Sequence, residues 1–184
     1  MATSAVDVHR WTREEYERLV DDGYFGPDER VELVDGIIYE MSPQKSWHAT
    51  AIQALQEYLG PAFKDGYNLR VQMPLVLSLD SEPEPDVAVV QGHWRDYRDS
   101  HPSTAALVIE VADTTLLHDR EKRGVYARAE IPEYWILNKI DACLEVYREP
   151  RNGAYQSRTV LKAGDSVSPL AYPEASLLVA NFLP

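Results

Sequence analysis

The sequence predicts an α/β or α+β domain built around a mixed sheet, and three observations carry that expectation. Segments with helical and strand periodicity follow one another as helix, hairpin, helix, strands, helix, strands. Strand candidates such as ALVIEVA are mostly aliphatic and read as buried. The 184 residues suit one domain with a sizeable core, expected to span 1–184, with no internal repeat or low-complexity linker.

Each element has a local reason. Thr12-Arg13-Glu14-Glu15 has the form of a capping box, and Tyr16, Leu19 and Val20 follow at helical spacing. A short helix over about residues 13–22 is expected. RVELVDGIIYEM reads as two strands around Asp35-Gly36, a strong hairpin signal. From Ser46, the spacing of Ala51, Leu55, Tyr58 and Leu59 predicts an amphipathic helix ending near Gly60-Pro61. YNLRVQMPLVLSL reads as one extended strand, with Pro74 marking an edge or a bulge. DSEPEPD is a stiff acidic connection, DVAVVQ a short apolar strand and HWRDYRDSHPS a polar loop. After ALVIEVA, DREKRGVYARAE is expected as a helix, and EYWILN, CLEVYRE, AYQSRTVL and ASLLVANF as further strands.

Composition narrows the function classes. No apolar run reaches the roughly 18 residues that a membrane helix needs. The opening MATSAVDVHRW has neither the basic start nor the apolar segment of a secretory signal. Cys143 is the sole cysteine, so an intramolecular disulfide is excluded and a reducing, cytoplasmic compartment is expected. The net charge of −12 argues against a surface that grips nucleic acid broadly through its phosphates, and no basic stripe is evident.

A few residues are out of place unless they work. Glu110 sits inside LVIEVA, with Val108 and Ala112 on its own face by the two-residue period of a strand. Either that face meets solvent or the carboxylate is enclosed, where it must pair, protonate or hold a metal. Asp86 follows Pro85 at the mouth of DVAVVQ. Alone it is an ordinary turn residue, but with Glu110 on a neighbouring strand it offers a second hard oxygen ligand to Mg²⁺. Lys122 shares a helical stripe with Val125, Tyr126 and Ala129, so it either snorkels to water or points into a cleft. Arg120, Arg123 and Arg128 lie nearby, making this the least acidic helix. Glu32 is the polar member of VELV, where a solvent-facing position is the plain alternative. His9, His48, His93, His101 and His118 show no metal-ligand spacing, which argues against zinc. Cys143 reads as a core thiol, and no Gly-rich phosphate loop or G-x-S-x-G elbow is present.

Taken in order, RVELVDGIIYEMSP, SWHATAIQAL, EPEPDVAVV, LVIEVADTT, DREKRGVYARAEIPEYWILN and LEVYR resemble the Uma-type family of restriction endonucleases, within the P-D…(D/E)-x-K nuclease superfamily. The resemblance spans about residues 12–148 and implies a restriction-endonuclease-like core, a central mixed sheet with helices on both sides. Asp86 matches the Asp of the P-D element, Glu110 the acidic residue of the next core strand, and Glu32 an upstream acidic residue. The strand lysine of the superfamily is missing, since Ala112 stands two residues after Glu110. Lys122 matches the family's lysine in the following helix. Gln72 and Tyr126 also fall in matching segments, without an assigned role.

The resemblance implies an endonuclease that hydrolyses DNA phosphodiesters with Mg²⁺ or Mn²⁺. On that implication, a metal on Asp86 and Glu110 would polarise the phosphate and lower the pKa of a bound water. Lys122 steadies the attacking hydroxide, and Glu32 tunes the site. A homodimer is also implied. The competing reading keeps the fold as a binding or regulatory module without useful catalysis. The acidity and the missing strand lysine favour that module, and the joint presence of Asp86, Glu110 and Lys122 favours the enzyme.

Overall fold

The computed structural model describes residues 8–63 and 65–184. The start of the stretch read as lacking a secretory signal, residues 1–7, lies outside the described residues. Among those described, no helix is long and apolar enough to cross a membrane.

The architecture is α/β, a mixed six-stranded sheet with three helices. The first helix, α1 (Arg13–Asp21), carries the expected capping box: Thr12 accepts from the Glu15 backbone and Glu15 reaches back to Thr12. Strands β1 (Val31–Val34) and β2 (Ile37–Glu40) pair antiparallel around Asp35-Gly36, both in left-handed backbone, as that turn requires. Helix α2 (Ser46–Leu59) follows, then β3 (Tyr67–Val71), β4 (Val87–Gln91), β5 (Leu107–Ala112), helix α3 (Leu116–Arg128), β6 (Glu133–Asn138), β7 (Cys143–Arg151) and β8 (Ala154–Lys162). The large sheet runs β3-β4-β5-β6-β7-β8 in space. Only β5 and β6 run parallel, and α3 makes the crossover between them.

Alternating side chains of the central strands feed two cores. On one face α2 buries Ala51, Ile52, Leu55 and Leu59 against Val87, Val89, Ile109 and Val111. On the other, Leu116 and Tyr126 of α3 pack with Ala88, Val108, Ala112 and Ile136. Both faces of β5 are therefore covered, which is why its run is nearly all apolar. Glu110 belongs to the α3 face, enclosed with Val108 and Ala112.

Four elements differ from the sequence expectation. The long strand expected over YNLRVQMPLVLSL stops at Val71, because Gln72 turns into left-handed backbone (φ 49°) just before Pro74. The third helix starts at Leu116, three residues ahead of Asp119. Asp119 therefore sits in its first turn, accepting a 2.6 Å hydrogen bond from the Thr115 hydroxyl where a carboxylate suits the helix dipole. The loop HWRDYRDSHPS contains a 3₁₀ turn at Trp94–Tyr97, capped by His93. The tail ASLLVANF keeps only Leu177–Leu178 as strand, paired with Ser166–Val167, before a 3₁₀ turn at Val179–Asn181.

Candidate functional site

Antiparallel pairing of β4 with β5 places Ala88 opposite Val108. Asp86, two residues before Ala88, thus comes level with Glu110 on the same face. The two side chains interlock with backbone: the Asp86 N–H donates to Glu110 Oε2 (3.3 Å), and the Val111 N–H donates to Asp86 Oδ2 (2.8 Å). Both residues line one cavity of about 880 Å³ between the β1–β2 hairpin, α2 and α3.

The hairpin reaches this cavity because β1 docks along the acidic connection. Leu33 and Glu82 exchange backbone hydrogen bonds, and the Glu84 N–H donates to Glu32 Oε2 at 3.0 Å. Glu32 is therefore not a solvent-facing strand residue; it is 3% exposed. Lys122 does not snorkel either, being 4% exposed. Its Nζ lies 2.7 Å from Glu32 Oε1 and 3.0 Å from Glu110 Oε1. All four residues singled out in the sequence, Glu32, Asp86, Glu110 and Lys122, thus meet at one wall of the cavity.

Several partners were not singled out for this site. His48, in the first turn of α2, bonds Asp86 Oδ1 at 2.8 Å, and the Gln72 side-chain amide donates to the same oxygen at 3.2 Å. The left-handed turn at Gln72 is what aims that amide. The Tyr126 hydroxyl donates to Glu110 Oε1 at 2.8 Å. His118 lies 3.4 Å from Glu32 Oε1 and packs on the Tyr39 ring. His118, Lys122 and Tyr126 are spaced i, i+4, i+8 on α3, so one helical stripe supplies three polar groups. That stripe was a readable signal. The partnership of His48 with Asp86, across 38 residues, had no local one.

Charge is unbalanced here. Glu32 and Glu110 bind the Lys122 ammonium directly, and Asp86 and Asp119 add two more acids to a wall that Lys122 alone neutralises from within. Burial pushes the Glu110 carboxyl up; Lys122 counters only in part, and the neighbouring acids Asp86, Asp119 and Glu32 add to the rise, leaving it at about 8. Burial likewise lifts Asp119, to about 6, against the pull of Lys122 and Thr115. Glu32 goes the other way: burial would raise it, but Lys122, His118 and the Glu84 N–H bring it down to about 2. Lys122 itself is held protonated, because Glu110, Glu32 and Asp119 outweigh its burial. Asp86 similarly raises the pKa of His48 against the effect of burial.

This donor set fits a divalent cation. Hard carboxylate oxygens from Asp86 and Glu110 face one cavity, and their surplus negative charge is what an added cation would neutralise. Among the described residues, no three His, Cys, Asp or Glu side chains gather into a ready-made metal cage. Mg²⁺ does not need one, since it commonly takes one or two carboxylates and completes its shell with water and phosphate oxygens.

Comparison with known proteins agrees with this architecture. Residues 13–180 match the Uma2 family, described as "Putative restriction endonuclease". A crystal structure of a "putative nuclease" from Anabaena variabilis superposes with a TM-score of 0.71 at 13% identity, covering 94% of this chain and 97% of that one. The type IIG restriction endonuclease BpuSI aligns more loosely, with a TM-score of 0.44 and 16% identity over 78% of this chain and 16% of its own. No curated protein matches the chain.

Proposed function

The chain belongs to the Uma2 family, and on that premise we propose that it is a metal-dependent endonuclease that hydrolyses DNA phosphodiesters within one catalytic domain. The observation that carries this reading is the place of Lys122. Its position in sequence left open whether a lysine outside the strand motif could serve the same carboxylate. From α3 its Nζ comes within 3.0 Å of Glu110, at the wall that also presents Asp86.

In this reading Asp86 and Glu110 would hold the cation, Mg²⁺ or Mn²⁺, which would supply positive charge for the phosphate and Lewis acidity toward water. The remaining work falls to the chain's own residues. Lys122 presents a fixed ammonium to the oxygens on which negative charge grows during phosphoryl transfer. Glu32 keeps that ammonium in place from the far side. His48 and Gln72 fix the rotamer of Asp86, and Tyr126 fixes that of Glu110. Besides the central acids the cavity lining carries Glu40 and Glu121, with Glu84 and Asp113 paired to Arg30 and Lys139 and with Lys45 as a further cation. The remaining acidic surplus repels a polyanion unless a divalent cation offsets it. DNA binding is accordingly weak without metal. Cys143, a buried free thiol, suits a reducing cytoplasm. The homodimer implied by the family is tested by light scattering, in which a purely monomeric mass at high concentration counts against it.

The test of the activity is nicking of supercoiled plasmid in Mg²⁺, Mn²⁺ or EDTA by the wild type and Asp86→Asn. Cleavage that needs the cation and disappears in the variant supports the enzyme. A folded wild type that binds DNA but leaves the plasmid intact under every condition supports the binding module instead.

A further inference from the structure

On the opposite flank of α3 from the Glu32–Lys122–Glu110 cluster lies a smaller recess of about 380 Å³, closed by the β7–β8 hairpin. Its character is the reverse of the catalytic cavity. Arg120, Arg123 and Arg158 line it, with Glu121 as the acidic residue at its rim. Beneath them Glu145 is fully buried and engages both Arg120 and Arg158, with Asn138 and Tyr147 completing its shell. One carboxylate therefore fixes two guanidiniums. The third, Arg123, stacks over the Tyr147 ring at 5.1 Å, and its Nε donates to the Arg120 carbonyl. Its two Nη groups have no acceptor among the described residues. Three guanidiniums over one buried carboxylate leave a local surplus of positive charge, in a chain whose net charge is −12.

We propose that this recess is a second anion subsite, which takes a backbone phosphate of the nucleic-acid strand flanking the one that is cut. The proposal rests on the nuclease reading for the identity of the ligand. A planar fork stacked on an aromatic ring, with its outer donors unengaged, suits two oxygens of a phosphodiester. The ring and the Arg120 carbonyl hold the fork before ligand arrives, which reduces the ordering cost of binding. Position supplies the second argument. Glu121 lines both the recess and the catalytic cavity, so the two stand on either side of one helix. A helix with its side chains is about 10 Å across. Phosphates recur along a strand at every nucleotide, so a strand cut at the catalytic cavity presents a flanking phosphate within reach of the recess across α3. An acidic protein thereby gains a localised handle on a polyanion that its general surface repels.

The experiment is fluorescence anisotropy on a short DNA duplex with Ca²⁺ in place of Mg²⁺, across a salt series. It compares the wild type, Arg123→Ala, Arg123→Lys and a surface control, Arg95→Ala, with the fold of each checked by circular dichroism. Arg123→Ala is expected to bind at least about tenfold more weakly, since it loses a charge-assisted bidentate contact. Its log–log salt slope is expected to fall by about 0.9, one phosphate contact. Arg123→Lys keeps most of the slope and loses part of the affinity; Arg95→Ala changes neither. Unchanged affinity and slope in Arg123→Ala overturn the subsite, whatever the cleavage result. Tighter, Arg123-dependent binding of a glutamate-rich peptide than of the duplex also overturns it, assigning the recess to an acidic protein partner. Plasmid nicking by the wild type is scored separately, so Arg123-dependent binding without cleavage sinks the nuclease reading and leaves the subsite standing.

Discussion

The Nζ of Lys122 lies 3.0 Å from Oε1 of Glu110, joining a helix to the strand it covers. A second carboxylate, Glu32, holds the same ammonium from the β1–β2 hairpin. One cation thus ties three elements together inside the protein. Removing it strands buried negative charge, a loss that typically costs about 3–5 kcal/mol. Lys122→Met, which keeps the length of the side chain, is expected to lower stability by that order in urea melts without added metal. An unchanged midpoint and slope would mean that Lys122 plays no such structural part.

Tyr126 offers a finer probe of Glu110. Its hydroxyl, completely buried, donates 2.8 Å to Oε1, and little else changes in Tyr126→Phe. Oε1 keeps its bond from Lys122, so the loss is that of one hydrogen bond to a charged group, about 1.5–3 kcal/mol. The variant is expected to melt earlier by that amount and to cleave DNA more slowly, because Glu110 loses a contact that fixes its rotamer. Wild-type values of both would show that Glu110 is positioned without the hydroxyl.

Gln72 separates backbone from side chain. At φ 49° glycine is the easiest residue to accommodate, and β-branched residues are the hardest. Gln72→Gly is expected to keep or slightly raise stability while lowering turnover, since Asp86 loses its amide partner. Gln72→Val is expected to cost about 1–3 kcal/mol through strain. Full activity in the glycine variant would remove Gln72 from the site.

Acid unfolding should report Glu145. Burial raises its carboxyl, but Arg120, Tyr147 and Asn138 outweigh that and set it at about 2, below the ordinary value of 4.5. A depressed acid stabilises the fold above its unfolded pKa and loses that contribution as pH falls toward the folded one. The window is pH 4.5 down to about 2. Glu145→Gln is expected to be less stable than the wild type near neutrality, with a flatter loss of stability across this window. Parallel pH curves for the two proteins would contradict it.

The order of elements was legible because periodicity and turn chemistry act locally: the Thr12–Glu15 box, the Asp35-Gly36 turn and the aliphatic run around Glu110 each declare themselves within a few residues. Glu110 and Lys122 stood out for the same reason, as charged groups on apolar stripes. What remained hidden was non-local. Glu32 meets Lys122 across 90 residues, and nothing near either one announces the pair. The turn at Gln72 was lost inside an apolar stretch that reads as strand on both sides. The third helix begins three residues before the charged run DREKR, because Leu116 packs into the core and the Thr115 hydroxyl bonds Asp119 across the first turn. The basic recess was half visible, in the arginines of α3. Its other wall, with Arg158, comes from a strand distant in sequence.

The most direct test of the catalytic assignment is single-turnover cleavage of duplex DNA in Mg²⁺ by the wild type, Lys122→Ala and Lys122→Arg. It is run at a temperature where circular dichroism shows all three folded. An ammonium that stabilises charge mainly in the transition state is worth about 10²–10³ in rate. Lys122→Ala should lose that much, and Lys122→Arg should not recover it fully, because a planar fork replaces a compact point charge. Cleavage by folded Lys122→Ala at the wild-type rate would contradict the assignment.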